Sequence, residues 1–212
     1  MRLALGVMPT ATLKLAPQLI ELLDSQAEDV AVTLTEGTMA NLLPPLRSGE
    51  LDFIVGVLPN RPLGAEFSHK VFYEDPFVIA VRREHPLARR TDVSWDDLRD
   101  SAMVLPPEGA LTRELLVDVL ARHKISIPRR KIESVSTMMI IGVLQKHDMF
   151  GLLPLELAEY FAGLGILSIL PLEVPNAHRN VGMLWRSDVP SSATHKRVLE
   201  IFRSAYPDAP GS

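Results

Sequence analysis

Apolar residues along this chain come in two kinds of stretch that take turns. Leu3 to Met8, Val30 to Glu36 and Phe53 to Val57 are short apolar-rich runs of strand length, whereas Thr12 to about Gln26 and Asn41 to Ser48 place apolar residues at helical spacing. Phe53 to Val57 is too apolar to alternate, as expected of a strand covered on both faces of a parallel sheet. From His69 to Val81 the chain reads as extended and broken by Asp75-Pro76. A second set then follows: strands at Ala102 to Leu105, Lys131 to Ser134, Met149 to Leu153 and Ile166 to Leu170, with helices at Thr112 to His123, Ser136 to Lys146 and after Pro154. Asn180 to Arg186 is a late strand and Ser192 to Ala205 a C-terminal helix. Such alternation predicts parallel strand–helix–strand units with right-handed crossovers.

Local punctuation sharpens the third strand. Gly49 can take the left-handed conformation that ends a helix, and Glu50-Leu51-Asp52 leads into Phe53. Pro44-Pro45 fits only a helix that begins near Asn41, because the first turn has no internal N–H bonds to lose. Thr12 to Gln26 carries two apolar stripes: Leu13, Ala16, Ile20 and Leu23 form one, and Leu15, Leu19 and Leu22 the other. One stripe covers a sheet and the second is left for a partner or a wide core contact. Thr112 to His123, with Leu115, Leu116, Val119 and Leu120, shows a similarly broad face.

Composition narrows the class. Of the 212 residues 47% are apolar and 23% charged, enough to bury a sizeable core and too apolar for a disordered chain. The longest apolar run, Met138 to Leu144, is far short of the roughly 20 residues that span a bilayer. Pro9, Thr10 and Lys14 interrupt the N-terminal apolar run, so no signal peptide is read there and a cytoplasmic location is expected. The absence of cysteine removes disulfides, thiolate metal sites and thiol nucleophiles. With a net charge of −4, the chain lacks the basic stripe of a domain that holds nucleic-acid phosphates by itself.

The stretch Leu46-Arg47-Ser48-Gly49-Glu50-Leu51-Asp52-Phe53-Ile54-Val55-Gly56 resembles the hallmark of LysR-type transcriptional regulators, in the domain that senses a small effector. Tyr73 to Val81 with Glu84-His85-Pro86-Leu87-Ala88, Trp95-Asp96-Asp97-Leu98, and Phe150-Gly151-Leu152-Leu153-Pro154 resemble further family segments in family order. Val104 to Gly109 with Thr112-Arg113 is most similar to the subgroup of regulators of a galactose-binding protein and of protocatechuate catabolism. The resemblance implies an α/β, periplasmic-binding-protein-like type II fold, two α/β lobes joined by two crossing strands. Residues 1–75 plus 187–212 would form lobe I and 76–186 lobe II. The family's winged helix-turn-helix and linker helix are expected to be absent, because Met1-Arg2 runs straight into the first strand. DNA would then be bound only through that missing part. The family also pairs such domains antiparallel, which implies a homodimer through Leu15, Leu19, Leu22, Leu115 and Val119, with a tetramer open to the full-length protein.

In open α/β sheets ligands sit at the carboxyl ends of strands, where a helix start offers free N–H groups and the positive end of its dipole. Two segments have that form: Pro9, Thr10, Ala11 and Thr12, and Val135, Ser136 and Thr137. Their hydroxyls either cap their helices or meet a polar ligand. Both segments match where the family lines its cleft. Thr38, Leu58, Pro59, Glu108 and Ala110 would complete the wall. Arg113 either clamps a carboxylate through two bonds or pairs with Glu108.

Catalysis finds no carrier. None of the six histidines forms a His-x-x-x-His pair, and no Gly-x-Ser-x-Gly elbow, P-loop or Gly-x-Gly-x-x-Gly occurs. The reading is an effector-binding domain that is not an enzyme, takes no metal or cofactor, and binds a small polar ligand, with an organic acid favoured and an aromatic acid or sugar open. Two rivals share the implied fold. One is a solute-binding receptor for a transporter. The other is a prephenate-dehydratase-like enzyme, whose Thr-Arg-Phe signature is missing because Thr112-Arg113 is followed by Glu114.

Overall fold

The computed structural model describes residues 2–26, 30–59, 63–108, 111–134, 136–175, 177–188 and 193–206. Contacts divide the chain into two compact units, Met1–Asp75 with Arg179–Ser212, and Pro76–His178.

In the first unit β1 (Arg2–Val7) lies between β2 (Ala31–Glu36) and β3 (Phe53–Val57), parallel to both. β9 (His178–Arg186) adds to β3 antiparallel. Side chains of a strand alternate between faces, and the β3 run shows why it is apolar throughout. Phe53 and Val55 join the core under α1 (Leu15–Gln26) and α6 (Ala193–Ala205), while Ile54 joins a second core under α2 (Met39–Ser48). The entry to β3 is fixed as its sequence suggests. Gly49 takes φ 84° and its N–H reaches Leu46 O, and Asp52 ties the strand to β1 through Ala4 N–Asp52 Oδ2 (2.8 Å) and Asp52 N–Ala4 O (2.8 Å).

Several expected boundaries move. α1 starts at Leu15 rather than Thr12, behind a short 3-10 turn at Pro9–Ala11. α2 starts at Met39, so Pro44 and Pro45 lie inside it and not in its first turn. Their missing N–H groups deprive the carbonyls of Ala40 and Asn41, two exposed residues that water reaches, while buried Leu42 and Leu46 hold the helix on the sheet.

The second unit repeats the plan. β5 (Ala102–Leu105) lies parallel to β6 (Lys131–Glu133) and β7 (Met149–Pro154), with α3 (Leu111–Arg122), α4 (Thr137–Lys146) and α5 (Leu155–Gly163) as its helices. The later half of β4 (Phe67–Arg82) pairs antiparallel with β7 and with β8 (Leu167–Ile169). Met103, Leu105, Leu116, Leu120 and Phe150 centre its core. Trp95–Leu98 is a 3-10 turn with a reciprocal cap, Ser94 and Asp97 each bonding the other's backbone end.

Two expectations about the connections are corrected. β4 runs unbroken through Asp75-Pro76, because Pro76 sits where the strand changes partners and no ladder N–H is needed from it. The later division between units falls between His178 and Arg179, not between 186 and 187, because residues 181–185 pair with β3 and so belong to the first unit.

Candidate functional site

In the first unit, the expected ligand segment follows β1. Pro9 opens the 3-10 turn, a position where its lost N–H costs nothing, and the Ala11 amide bonds Met8 O at 2.8 Å. Thr12 ends the turn and its hydroxyl donates to Pro9 O at 2.7 Å. That proton is therefore spent locally. Ala11 is buried in the core, and the Thr10 and Thr112 side chains lie outside the described atoms. Thr38 is the residue before α2, exposed, with extended backbone and no side-chain capping bond, so its hydroxyl is uncommitted. Leu58 is corrected from wall to core: it is 4% exposed and packs with Leu42, Leu46 and Phe67. Pro59 lines a small apolar cavity of about 110 Å³ with Phe67, His69 and Leu184.

The second unit presents its helix start differently. Ser136 caps α4, its hydroxyl oxygen accepting the Met139 amide at 3.4 Å, and Ser134 Oγ accepts the Ser136 amide at 3.1 Å. Accepting leaves the Ser136 O–H free to donate. By helix geometry the first-turn amides of Thr137 and Met138 also have no partner within the helix. Together they offer a hydroxyl donor and amide donors at the positive end of a dipole, suited to a carboxylate or hydroxyl oxygen. Ala110 and Val135 lie outside the described residues.

Arg113 is engaged within its own unit. It is 7% exposed, and one guanidinium nitrogen donates to Pro106 O and to Glu133 Oε1, both at 2.9 Å, with exposed Glu108 at 3.6 Å from the other. Glu133 also receives Lys131 at 3.2 Å, and the bonds from Arg113 and then Lys131 hold its carboxyl below the usual range. The guanidinium therefore buttresses the strand ends, and its charge is already answered by Glu133. Sequence reading named the Glu108 alternative and missed Glu133, which lies 20 residues away and gives no local cue.

One further feature went unread. Met138 and Met139, 69% and 57% exposed, sit beside Ser136 on the first turn of α4 and offer adaptable apolar surface. The expected interface is also revised. Leu15 and Leu19 have no exposure and Val119 has 3%, each consumed by the core of its own unit, whereas Leu22 and Leu115 are only partly buried. The broad apolar face of α1 is a wide core contact with the sheet and α6.

A family model described as LysR substrate binding domain matches residues 1–207. The chain is similar to the HTH-type transcriptional regulator GbpR of Azospirillum brasilense, 24% identical over 203 residues, covering 95% of this chain and 59% of that protein. The chain thus spans about three-fifths of the length of that relative. Among solved structures it is similar to the CcmR regulatory domain of Synechocystis PCC6803 in complex with 2-PG, with TM-score 0.76, 20% identity and 98% of each chain covered. It is also similar to the BenM effector binding domain with its effector benzoate, with TM-score 0.73, 20% identity, and 97% of this chain and 92% of that one covered. These likenesses show a periplasmic-binding-protein-like type II fold.

Proposed function

The chain belongs to the LysR substrate-binding domain family, and from that premise we propose that it is the effector-sensing part of a bacterial LysR-type transcriptional regulator and not an enzyme. A small polar molecule binds at strand ends of this fold; its candidate donors are the Ser136 hydroxyl and first-turn amides of α4 in the second unit, and the Thr38 hydroxyl, near the Pro9–Thr12 segment's strand end, in the first. Its binding shifts the balance between arrangements of the domain. Only a ligand with different affinity for those arrangements can do so. DNA is bound by another part of the regulator, and the domain works as a homodimer in the cytoplasm. Partly exposed Leu22 and Leu115 remain available to that dimer.

The observation that carries this reading is the Ser136 cap with its free O–H, on a chain matched over 1–207 by the family. The names of the relatives favour it over a transport receptor or a dehydratase, because GbpR is named a transcriptional regulator. Benzoate is the effector named for BenM, and it motivates including aromatic acids in a screen here. A thermal-shift panel of organic acids, aromatic acids and sugars tests the proposal. A ligand at about a hundred times its dissociation constant adds roughly 2.7 kcal/mol, a rise of roughly 5–10 °C for a chain of this size. A crystal of the resulting complex with the ligand touching neither Ser136–Thr137 nor Thr38 overturns the site, and turnover of prephenate overturns the non-enzymatic reading.

A further inference from the structure

Among the described residues, only four with polar or charged side chains are buried: Asp75, His85, Arg113 and Glu156. Asp75 is the most enclosed, and Arg179 reaches it through Nε at 2.9 Å and Nη2 at 2.6 Å, both on Oδ2. The two side chains are 3% and 10% exposed. They stand at the chain's own division points, Asp75 as the last residue before the second unit and Arg179 as the first after it. No other part of the chain passes from one unit to the other.

Their strands are bonded on either side of the pair. Toward the second unit, the Phe77 amide donates to Ala177 O at 2.8 Å. Toward the first, Gly182 lies so close to β4 that a Cβ there would fall 2.1 Å from Lys70 O and 2.9 Å from Val71 Cα. Only glycine permits that approach. The ion pair lies between these two contacts. A buried pair is a poor choice for stability, since matched apolar residues do as well, but its directional bonds fix one register. Two nitrogens of a rigid fork on one oxygen restrict rotation of either strand about its axis.

We infer that Asp75 and Arg179 form a clamp on the crossing strands, a positioning pair that keeps β4 and β9 in one register and makes the effector response a two-state change. The inference rests on the sensing role given above and names its regulation. With the clamp closed, a ligand-driven change passes through residues 75–76 and 178–179 as a concerted turn of both strands. With it broken, each unit stays folded and the strands move independently.

The chain has no cysteine, so Asp24→Cys and Asp118→Cys, exposed positions on α1 and α3 in different units, accept spin labels selectively. Without ligand, the otherwise unmodified labelled chain gives the reference width of the distance distribution between the labels. Asp75→Asn, which keeps shape and removes charge, at least doubles its width. Arg179→Lys, which keeps charge and removes the fork, gives an intermediate width. Hydrogen exchange supplies a second reading: the Phe77 amide exchanges at least tenfold faster in Asp75→Asn, while that of Val104 in the second-unit core is unchanged. Unaltered width and Phe77 protection in folded Asp75→Asn overturn the clamp. Global unfolding of both variants overturns it too, because the pair would then be a folding element. Both measurements are made without effector. A broadened distribution together with a silent ligand screen would therefore leave the clamp standing and bring down the sensing role instead.

Discussion

In the first unit the hydroxyl of Thr12 turns back onto the Pro9 carbonyl and α1 starts three residues later, at Leu15; in the second, Ser136 is itself the residue on which α4 starts. The two sequences share a cue, a strand followed by hydroxyl residues and an apolar helix. What separates them is Pro9. A proline at the first position of a turn is preorganised to close it, and the 3-10 turn it opens consumes the Thr12 hydroxyl before a ligand could use it. Among the described residues no such turn precedes α4, so the Ser136 cap keeps a proton to donate. The comparison teaches that a hydroxyl near a helix start is a candidate donor only when the local turn does not claim it first.

The largest test concerns what α1 does once it has started. Leu19 has no exposure and sits between the sheet and α6, so Leu19→Glu places an unpaired carboxylate in the core. The expected cost is above about 4 kcal/mol, a large part of the total stability of a domain. Circular dichroism with urea should show the first unit unfolded or melted out early. Leu22→Glu, at a partly exposed position on the same helix, should cost no more than about 1 kcal/mol and act on self-association, read by sedimentation. A folded, monomeric Leu19→Glu chain would restore the interface that burial has removed.

Much of this contrast was open to a reader of the sequence, and the rest was hidden for identifiable reasons. The apolar run Phe53–Val57 announced a strand covered on both faces, and Gly49-Glu50-Leu51-Asp52 announced its entry, because each signal is local. The family resemblance rests on the same local signals. The two stripes of α1 stayed open between a partner and a wide core contact because periodicity gives the width of an apolar face and not what covers it; α6 covers it, from residues 193–205, and no local rule connects them. Arg113 was visible as a charge near the strand ends, but its partner Glu133 is distant in sequence. The unbroken β4 was missed because Pro76 usually marks a break, and here it falls where pairing changes sides.

The next test uses one histidine from each unit, His85 buried and His195 partly buried. Burial lowers the pKa of His85 below its ordinary value of 6.5, with Asp148 opposing, and His85 Nδ1 accepts the Leu87 amide at 3.1 Å. Burial likewise lowers that of His195, which stacks on Phe53 at 4.3 Å between centroids, with Asp52 opposing. A lowered basic group binds its proton more weakly when folded than when unfolded. Its contribution is therefore complete above about pH 6.5 and is lost as pH falls toward the folded pKa. Melting temperature should drop between pH 7.5 and 5.5. His85→Asn, which keeps an acceptor for Leu87, should flatten part of that slope, and His195→Asn another part. An unchanged slope in the double variant would mean that neither imidazole resists protonation.

The smallest effects bear most directly on the opening contrast. Ser136→Ala removes a cap whose bond is long, so its cost should lie at the low end of the usual range, about 0.5 kcal/mol. Thr12→Val removes a single exposed bond and should cost a similar amount. Thr38→Val should cost nothing measurable, within about 0.5 kcal/mol, because that hydroxyl makes no capping bond and the residue is exposed. Effector binding should reverse the ranking of Thr12 and Thr38. With a compound from the screen, Thr38→Val and Ser136→Ala should each lose several-fold in affinity, since both hydroxyls are free to donate. Thr12→Val should lose little, its proton being held by Pro9 O. Isothermal titration of the three variants decides the matter. If Thr12→Val loses the most, the 3-10 turn opens on binding and its internal bond is part of the switch; if only Ser136→Ala loses affinity, the second unit alone carries recognition.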